Sequence, residues 1–211
     1  MTLQGHQLAC SRGERHLFTD INFEISGGDA LRVAGPNGSG KTSMLRLLCG
    51  LSLPATGEVR WNGKNIHKNR EDFCAELIYL GHANGVKDDL AAWENLVMAA
   101  TLAGRPVKPQ AAWDALDVLG LDEIGHLPTR SLSQGQRKRV ALARLWMETS
   151  PRLWILDEPF TALDRDAVDT LCQKMDLHLS GGGIVIYTTH QEVKLQAGRR
   201  LNLDLGALAP C

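Results

Sequence analysis

The sequence predicts an α/β domain with a largely parallel core sheet, a β-rich region at the N-terminus and a helical lobe inserted in the middle. Three patterns indicate this fold. Residues 1–34 look β-rich, with apolar and polar side chains alternating from Phe18 to Ile25. Residues 89–128 are rich in Ala and Leu at helical spacing, and short apolar runs separated by helical segments fill the rest. Strands that alternate with helices are typical of doubly wound parallel sheets.

The predicted elements follow in chain order. "HLFTDINFEI" alternates as a strand, "GG" marks a turn, and "ALRVAG" is the next strand. Apolar helical spacing after Lys41 predicts a helix that Gly50 caps. "GEVRWNG" and "ELIYLGH" are predicted as short strands. A helix is predicted from Gln134 to Glu148, a strand in "PRLWILD", a helix over residues 164–179 and a strand in "GIVIYTT".

Length and composition limit the domain organisation. The 211 residues suffice for one well-filled domain, so we expect a single domain over 1–211 with the helical lobe at roughly 85–145. The formal net charge of −1 gives no global field that would favour nucleic acid or an acidic membrane surface. No apolar stretch approaches the roughly 18 residues of a membrane span, and the N-terminus does not resemble a signal peptide. We therefore expect a cytoplasmic protein that meets membranes through a partner.

The five cysteines are scattered and contain no C-x-x-C pair. Their odd number and wide spacing exclude a disulfide framework and the ligand spacing typical of zinc. They are interpreted as small, buried apolar side chains in a reducing compartment.

"GPNGSGKT", residues 35–42, matches the phosphate-binding pattern G-x-x-x-x-G-K-[ST] at every specified position. Glycines let backbone N–H groups converge on a phosphate, and the start of the following helix adds partial positive charge. Lys41 is expected to reach the β- and γ-phosphates, and the Thr42 hydroxyl to ligate Mg²⁺. The alternative is a glycine-rich turn that ends in Lys-Thr by chance. The predicted ATP-binding residues here are Gly35, Pro36, Asn37, Gly38, Ser39, Gly40, Lys41, Thr42 and Ser43.

"LWILDEPFTALD", residues 153–164, places two adjacent carboxylates at the end of an apolar run. Four apolar residues in a row indicate a strand buried on both faces. Two neighbouring carboxyl groups resist being ionised together, so a positive partner is needed beside them. Mg²⁺ is such a partner, because it is a cation that prefers oxygen ligands. Asp157 is therefore expected to hold Mg²⁺ through water, and Glu158 to polarise the water that attacks the γ-phosphate. The alternative for Glu158 is an ordinary surface acid after a strand.

"LSQGQ", residues 132–136, closely resembles the LSGGQ signature of ABC ATPases. "TALD" resembles the D-loop of that family, and "YTTH" ends at the switch-histidine position, His190. All five motifs occur in the family's order and at its spacing. The resemblance implies a P-loop NTPase fold of the ABC ATPase type, with a RecA-like parallel core, an N-terminal antiparallel β region and an inserted helical lobe. It also implies catalytic roles for Lys41, Glu158 and His190.

The signature has chemistry of its own. Ser133 and the N–H groups around Gly135 stand at a predicted helix start, which makes a second anion-binding end. One chain cannot easily wrap both such ends round one nucleotide. In the resembled family each ATP is held between one P-loop and the signature of a facing copy, so the resemblance implies an ATP-dependent homodimer in which Ser133, Gly135 and Gln136 bind nucleotide. The basic run "QRKRVALAR" that follows is interpreted as a solvated helix face rather than a nucleic-acid contact.

Longer segments resemble a subfamily, the ATP-binding subunits of the bacterial cytochrome c maturation system. These segments include "LCGLSLPATGEVRWNG", "YLGHANGVKDDLAAWENL" and "ALARLWMETSPRLWILDEPFTALD", with Trp146 and Trp154 among the features particular to it. The resemblance implies integral membrane partners, a peripheral position on the cytoplasmic face of the bacterial inner membrane, and ATP hydrolysis that serves haem export or release of a haem-loaded chaperone. It implies no nucleic acid and no direct haem binding.

Three other functions stay open on the sequence. The chain could serve a transporter of another substrate, because ATPase subunits rarely encode what their membrane partners carry. A soluble ABC ATPase acting on nucleic acid or ribosomes is disfavoured, because such proteins usually carry coiled-coil insertions or two fused ATPase halves. A scaffold that binds nucleotide without hydrolysis is disfavoured by Glu158 and His190.

Two positions depart from the usual ABC pattern. Arg12 aligns with the aromatic residue on which most members stack adenine, and a guanidinium plane can also stack on a base. His82 stands where most members have a glutamine that contacts Mg²⁺ or its water. Because imidazole nitrogen suits Mg²⁺ poorly, neutral His82 is expected to act through a metal-bound water. The alternative is a histidine that merely ends a strand.

Overall fold

Two β-sheets organise the molecule in this computed structural model, which describes residues 1–147, 151–196 and 198–206. The N-terminal sheet is antiparallel, as predicted. Its strands, in spatial order, are β2 (Arg15–Ser26), β1 (Thr2–Arg12), β4 (Thr56–Trp61) and β5 (Lys64–Asn65).

The second sheet has five strands, and every neighbouring pair in it is parallel. Its spatial order is β6 (Leu77–Leu80), β7 (Leu153–Leu156), β8 (Ile184–Thr188), β3 (Ala30–Ala34) and β9 (Arg200–Asp204). The predicted parallel core is therefore confirmed. The sequence pattern did not reveal β9, because an edge strand of the composition "RLNLD" carries too few apolar residues to be distinguished from a loop.

Six α-helices surround these sheets in the described part of the chain. They are α1 (Lys41–Leu48), α2 (Arg70–Ala75), α3 (Ala92–Leu102), α4 (Pro109–Asp117), α5 (Gln134–Ala143) and α6 (Arg165–Ser180). α3, α4 and α5 lie between β6 and β7 in the chain. As predicted, α1 ends close to Gly50, whose φ of 70° is left-handed.

The helix predicted from Gln134 to Glu148 is wrong in its length. α5 ends at Ala143, a 3₁₀ turn covers Arg144–Trp146, and residue 148 lies outside the described residues. The helix ends earlier because the backbone at Met147 is extended, with φ −66° and ψ 140°, so helical turns do not continue past Trp146.

Two apolar cores lie on opposite faces of the parallel sheet, and β7 supplies both. Trp154 and Leu156 pack with the helical lobe and α6, whereas Leu153 and Ile155 pack with α1 and the N-terminal sheet. All four side chains are buried. This confirms the interpretation of the apolar run as a strand covered on both faces, since alternate side chains of a strand point to opposite faces.

A histidine closes one edge of the first core. The His178 ring stacks on Trp154 at 3.8 Å between centroids, and its Nε2 lies 3.1 Å from the Arg152 carbonyl oxygen. Burial lowers the pKa of His178 to about 4, so the imidazole is neutral at physiological pH. A side chain at Gly183 would place Cβ 2.2 Å from this ring, so the stack requires glycine there.

The prediction that the cysteines are buried is confirmed for Cys49 and wrong for Cys74, which is exposed, while Cys10 and Cys172 are half-buried. Cys10, Cys49, Cys74 and Cys172 are all free thiols, and Cys211 lies outside the described residues. None of the helices in the described ranges combines the length and the apolar character needed to cross a membrane.

Candidate ATP-binding and hydrolysis site

The carboxyl ends of three parallel strands meet at one edge of the second sheet. The phosphate-binding loop at residues 35–42 (the P-loop) follows β3. Asp157 and Glu158 (the acidic pair) follow β7, and Thr188 ends β8. The register pairs Leu156 with Tyr187, so Asp157 and Thr188 are the next residues along their two strands. In open α/β sheets, ligands bind at this edge.

The P-loop is shaped by left-handed glycines. Gly35 and Gly40 have φ values of 138° and 102°. A Cβ at Gly35 would lie 2.6 Å from Ser39 Oγ, and one at Gly40 would lie 3.2 Å from the Phe18 ring. The N-terminus of α1 has no side-chain cap, so its N–H groups are open to a ligand, and Ser39 Oγ is buried without a partner among the described residues. An uncapped helix start beside an unsatisfied buried hydroxyl fits a phosphate group.

Lys41 lies against the same loop. Its Nζ donates hydrogen bonds to the carbonyl oxygens of Gly35 at 2.8 Å and Pro36 at 3.2 Å. The ammonium group is thus held at the loop, within the cleft where a triphosphate would lie.

Asp157 joins the P-loop to β8 through two hydroxyl groups. Thr42 Oγ1 donates to Asp157 Oδ2 at 2.9 Å, and Thr188 Oγ1 donates to Asp157 Oδ1 at 2.8 Å. Thr188 Oγ1 also accepts the backbone N–H of Glu158 at 2.8 Å. Sequence reasoning missed Thr188, although its place at the end of β8, next to the end of β7, was a usable signal.

Glu158 is held in an uncommon conformation. Its φ is 48°, in the left-handed region, and such strain clusters at functional sites. Its side chain is 16% exposed and faces His190, with His190 Nε2 3.4 Å from Glu158 Oε1. Within the described residues, this carboxylate oxygen is buried and has no hydrogen-bond partner. A buried acceptor left unsatisfied is placed to take a hydrogen bond from a water molecule.

These groups line a cleft of about 510 Å³. It contains the predicted residues Arg12, Asn37, Gly38, Gly40, Lys41, Thr42, Ser43, His82, Asp157, Glu158 and His190. Sequence reasoning missed Arg15, Leu17 and Thr161, which also line this cleft. Arg15 pairs with Arg12 across the β1–β2 hairpin, so the hairpin pattern could have indicated it.

His82 is exposed near the start of the loop that follows β6. It lines the ATP cleft and also a second cleft, of about 550 Å³, between the helical lobe and the D-loop. The geometry brings His82 near Glu158 and leaves its role as a water-mediated ligand a prediction.

The signature residues do not line the cleft that holds the P-loop. Ser133 is exposed and caps α5, accepting the Gln136 N–H at 3.2 Å, while Gln136 Oε1 accepts the Ser133 N–H at 2.8 Å. A Cβ at Gly135 would lie 2.9 Å from the Ala162 carbonyl oxygen, so glycine lets the helix start approach the D-loop. The signature residues therefore lie on a surface outside the cleft that contains the chain's own P-loop.

The interpretation of "QRKRVALAR" as a solvated helix face is wrong for part of the run. Arg137 forms an ion pair with Asp88, and Arg139 forms one with Asp164. Lys138, between them, is buried, with only 7% of its surface exposed. The sequence pattern missed this because three consecutive basic residues point in three directions from a helix.

The donor chemistry of the site suits Mg²⁺. Thr42 and Asp157 present hard oxygen donors to the same place, as Mg²⁺ prefers. No group of three His, Cys, Asp or Glu side chains within the described ranges could hold a metal ion. A nucleotide-bound Mg²⁺ needs only one or two protein oxygens, because phosphates and waters supply the rest.

Comparisons with known proteins agree with this geometry. The ABC transporter family matches residues 18–161. An ABC transporter ATP-binding protein from Pyrococcus furiosus has a similar structure, with a TM-score of 0.84, 25% identity and full coverage of both chains. A dimeric bacterial ABC transporter cassette has a TM-score of 0.83 at 23% identity, covering 97% of this chain and 95% of that one. Fold and site thus define an ABC-type ATPase.

Curated relatives narrow the family. The cytochrome c biogenesis ATP-binding export protein CcmA of Dechloromonas aromatica is 50% identical over 204 residues, or 97% of this chain and all of the relative. CcmA of Nitrosomonas europaea is 52% identical over 191 residues, 90% of this chain and 89% of the relative. The chain belongs to the CcmA family of ABC transporter ATP-binding proteins.

Proposed function

We propose that this chain is the ATP-hydrolysing subunit of a membrane complex for cytochrome c maturation, and that its turnover drives haem export or release of a haem-loaded chaperone. The observation that carries the proposal is the hydrogen-bonded series from Thr42 through Asp157 and Thr188 to Glu158. It ties the P-loop to the carboxylate that would act on water. The names of the CcmA relatives supply the biological process.

The residues divide the work of hydrolysis. The P-loop N–H groups and Lys41 bind and orient the triphosphate, while Thr42 and Asp157 hold Mg²⁺, which when bound neutralises phosphate charge. Glu158 accepts a hydrogen bond from the attacking water and orients it toward the γ-phosphate. His190, 3.4 Å from Glu158, is placed to hold this carboxylate or the γ-phosphate in position. Arg12 at the rim is a candidate platform for the adenine base.

Homodimerisation on ATP follows from the separation of the two anion-binding ends. The P-loop opens into the chain's own cleft, whereas Ser133, Gly135 and Gln136 lie outside it. We propose that these signature residues bind the nucleotide held by a second copy. Residues 1–211 then act as one ABC ATPase domain, with the lobe at roughly 85–145 carrying the signature toward the partner.

The proposed location is peripheral, on the cytoplasmic face of the bacterial inner membrane, where integral membrane subunits of the complex bind the chain. We expect no contact with nucleic acid and no direct haem binding. Purification of the tagged chain from native membranes should bring down haem-handling and cytochrome c assembly proteins. Recovery of subunits that carry a different substrate would contradict the proposed process and leave the ATPase activity untouched.

Glu158→Gln tests the proposed chemistry. The neutral amide carries no negative charge and cannot polarise water as the carboxylate does, so we expect turnover to fall by about 100-fold or more. ATP binding should persist, because Thr42, Asp157 and the P-loop are intact. Phosphate release and equilibrium binding of a labelled ATP analogue measure the two effects, and size-exclusion chromatography should show an ATP-bound dimer.

The matched control is Glu123→Gln, the same change at an exposed acid in the lobe, outside the cleft. It should leave turnover unchanged. A monomeric Glu158→Gln variant with normal hydrolysis would contradict both the role of Glu158 and the dimer.

A further inference from the structure

Lys138 is a buried lysine on the helix that the signature begins. Its two basic neighbours are committed to ion pairs, Arg137 to Asp88 and Arg139 to Asp164. Lys138 has 7% of its surface exposed, and the structure records no hydrogen bond or ion pair for its ammonium group within the described residues. A lysine with so little exposed surface is seldom without such a partner, so its ammonium group, which lies at a cleft, calls for a functional explanation.

The charges that face Lys138 are the two carboxylates of the site. Burial lowers the pKa of Lys138, and the negative charges of Asp157 and Glu158 oppose this shift. Lys138 and Glu158 also line the same cleft, of about 550 Å³, between the lobe and the D-loop. The ammonium group thus lies in the same cleft as Glu158 and attracts both carboxylates through space.

The acidic pair needs such a positive charge. Asp157 is buried, with 3% of its surface exposed, and takes hydrogen bonds from two neutral hydroxyls. The ammonium of Lys41 donates instead to P-loop carbonyl oxygens. His190 lies near Glu158, but its side chain is 59% exposed. Buried charges interact more strongly than solvated ones, so the Lys138 ammonium is well placed to offset the repulsion between the carboxylates.

We propose that Lys138 is a positioning residue for ATP hydrolysis, and that it supplies from α5 the resident positive charge against which Asp157 and Glu158 are held. The inference rests on the proposed function, because it gives the acidic pair its hydrolytic role. It also links two parts of the machinery. A shift of α5, which begins at the signature, changes the field at the hydrolytic carboxylates of the same chain.

Lys138→Met tests the proposal with a side chain of similar length and no charge. We expect kcat for ATP to fall by about 10-fold or more, with KM within about 2-fold, because the P-loop that binds ATP is unchanged. Lys138→Arg should recover most of the rate, since it restores the charge. Lys138→Gln, which keeps a polar head without charge, should behave as Lys138→Met does.

Two readouts separate this role from a merely structural one. Without the ammonium group, the electrostatic potential at the acidic pair becomes more negative, so Mn²⁺ should bind the protein–ADP complex about 3- to 10-fold more tightly. Electron paramagnetic resonance measures this affinity. The thermal midpoint should stay equal or rise, because an apolar isostere of a buried charge is often neutral or stabilising. A structural lysine would instead lose activity and stability together, with unchanged Mn²⁺ affinity.

Lys174→Met is the matched control. Lys174 is also partly buried, and burial also lowers its pKa, but it lies over the Trp146 ring and not beside the acidic pair. This variant should leave kcat and Mn²⁺ affinity unchanged. Parental kcat in Lys138→Met, failure of Lys138→Arg to recover the rate, unchanged Mn²⁺ affinity, or a Lys138→Met chain that does not fold would each overturn the inference. Absence of ATPase activity in the parent would instead overturn the proposed function.

Discussion

The two helix starts of the proposed ATPase site are built in opposite ways. α1 follows Gly40, whose left-handed backbone provides no side-chain cap, so the N–H groups at this end have no local acceptor. α5 starts at Ser133, and a reciprocal pair of hydrogen bonds between Ser133 and Gln136 satisfies two of its N–H groups. One end depends on a ligand for its acceptors, and the other carries its own.

This difference shows how each end is kept ready. The P-loop is enclosed by its own fold, because the P-loop cleft also includes groups from β1, from β2 and from the segments after β7 and β8. It can leave N–H groups unpaired, since the surrounding strands hold its shape. The signature end is exposed, and a capping box keeps its helix formed before any partner arrives. A preformed helix start loses less freedom on binding than a frayed one.

The largest expected effect comes from disabling each end in turn. Lys41→Ala should abolish productive ATP binding, and Ser133→Arg should block hydrolysis without weakening ATP binding by the single chain, because arginine fills the anion site offered to the other nucleotide. Each variant alone should lose at least about 100-fold in turnover. The measurement is phosphate release from equimolar mixtures of the two variants.

Mixing should restore activity if the two ends act across an interface. In a mixed dimer, one site combines an intact P-loop with an intact signature, so a random mixture should regain about a quarter of the parental rate. Mixing is verified with two different affinity tags. No recovery in dimers proven to be mixed would contradict the division between the two ends and would mean that each chain works alone.

A smaller effect is expected from Ser133→Ala, which removes the cap and leaves the P-loop intact. The free energy of unfolding should fall by about 1 kcal/mol, as for other caps lost to alanine. Urea denaturation of the nucleotide-free chain measures it. Ser133→Thr retains a hydroxyl acceptor and should lose less than half as much. Equal stability of the parent and Ser133→Ala would mean that the signature end is no better preformed than the P-loop end.

The smallest effect on turnover is expected at His82, which lines both clefts. If neutral His82 accepts a hydrogen bond from a metal-bound water, His82→Gln should stay within about 3-fold of parental turnover, since an amide oxygen also accepts. His82→Leu, without an acceptor, should lose about 5- to 10-fold, the value of one hydrogen bond. Steady-state rates at saturating Mg-ATP give the comparison. Equal rates for His82→Leu and the parent would leave His82 as the end of a strand.

Local spacing was sufficient to predict what depends on neighbours in the chain. The P-loop pattern, the apolar run before Asp157 and the signature each indicated their element, because glycine conformations, strand burial and helix caps are set over a few residues. The parallel core was predictable from alternation of strands and helices. The weakly apolar β9 and the end of α5 were not, because both are decided by packing against the rest of the sheet.

Contacts between distant segments were decided by the tertiary structure. Thr188 forms hydrogen bonds with Asp157 and Glu158 only because β7 and β8 are neighbouring strands. Thr188 and Asp157 are 31 residues apart in the chain. Lys138 looked like a solvated base in the sequence, yet it is buried and lines one cleft with Glu158, because α5 and the segment after β7 border that cleft together. A sequence pattern reports which way a side chain leaves its own element. What that side chain meets depends on which other elements pack there.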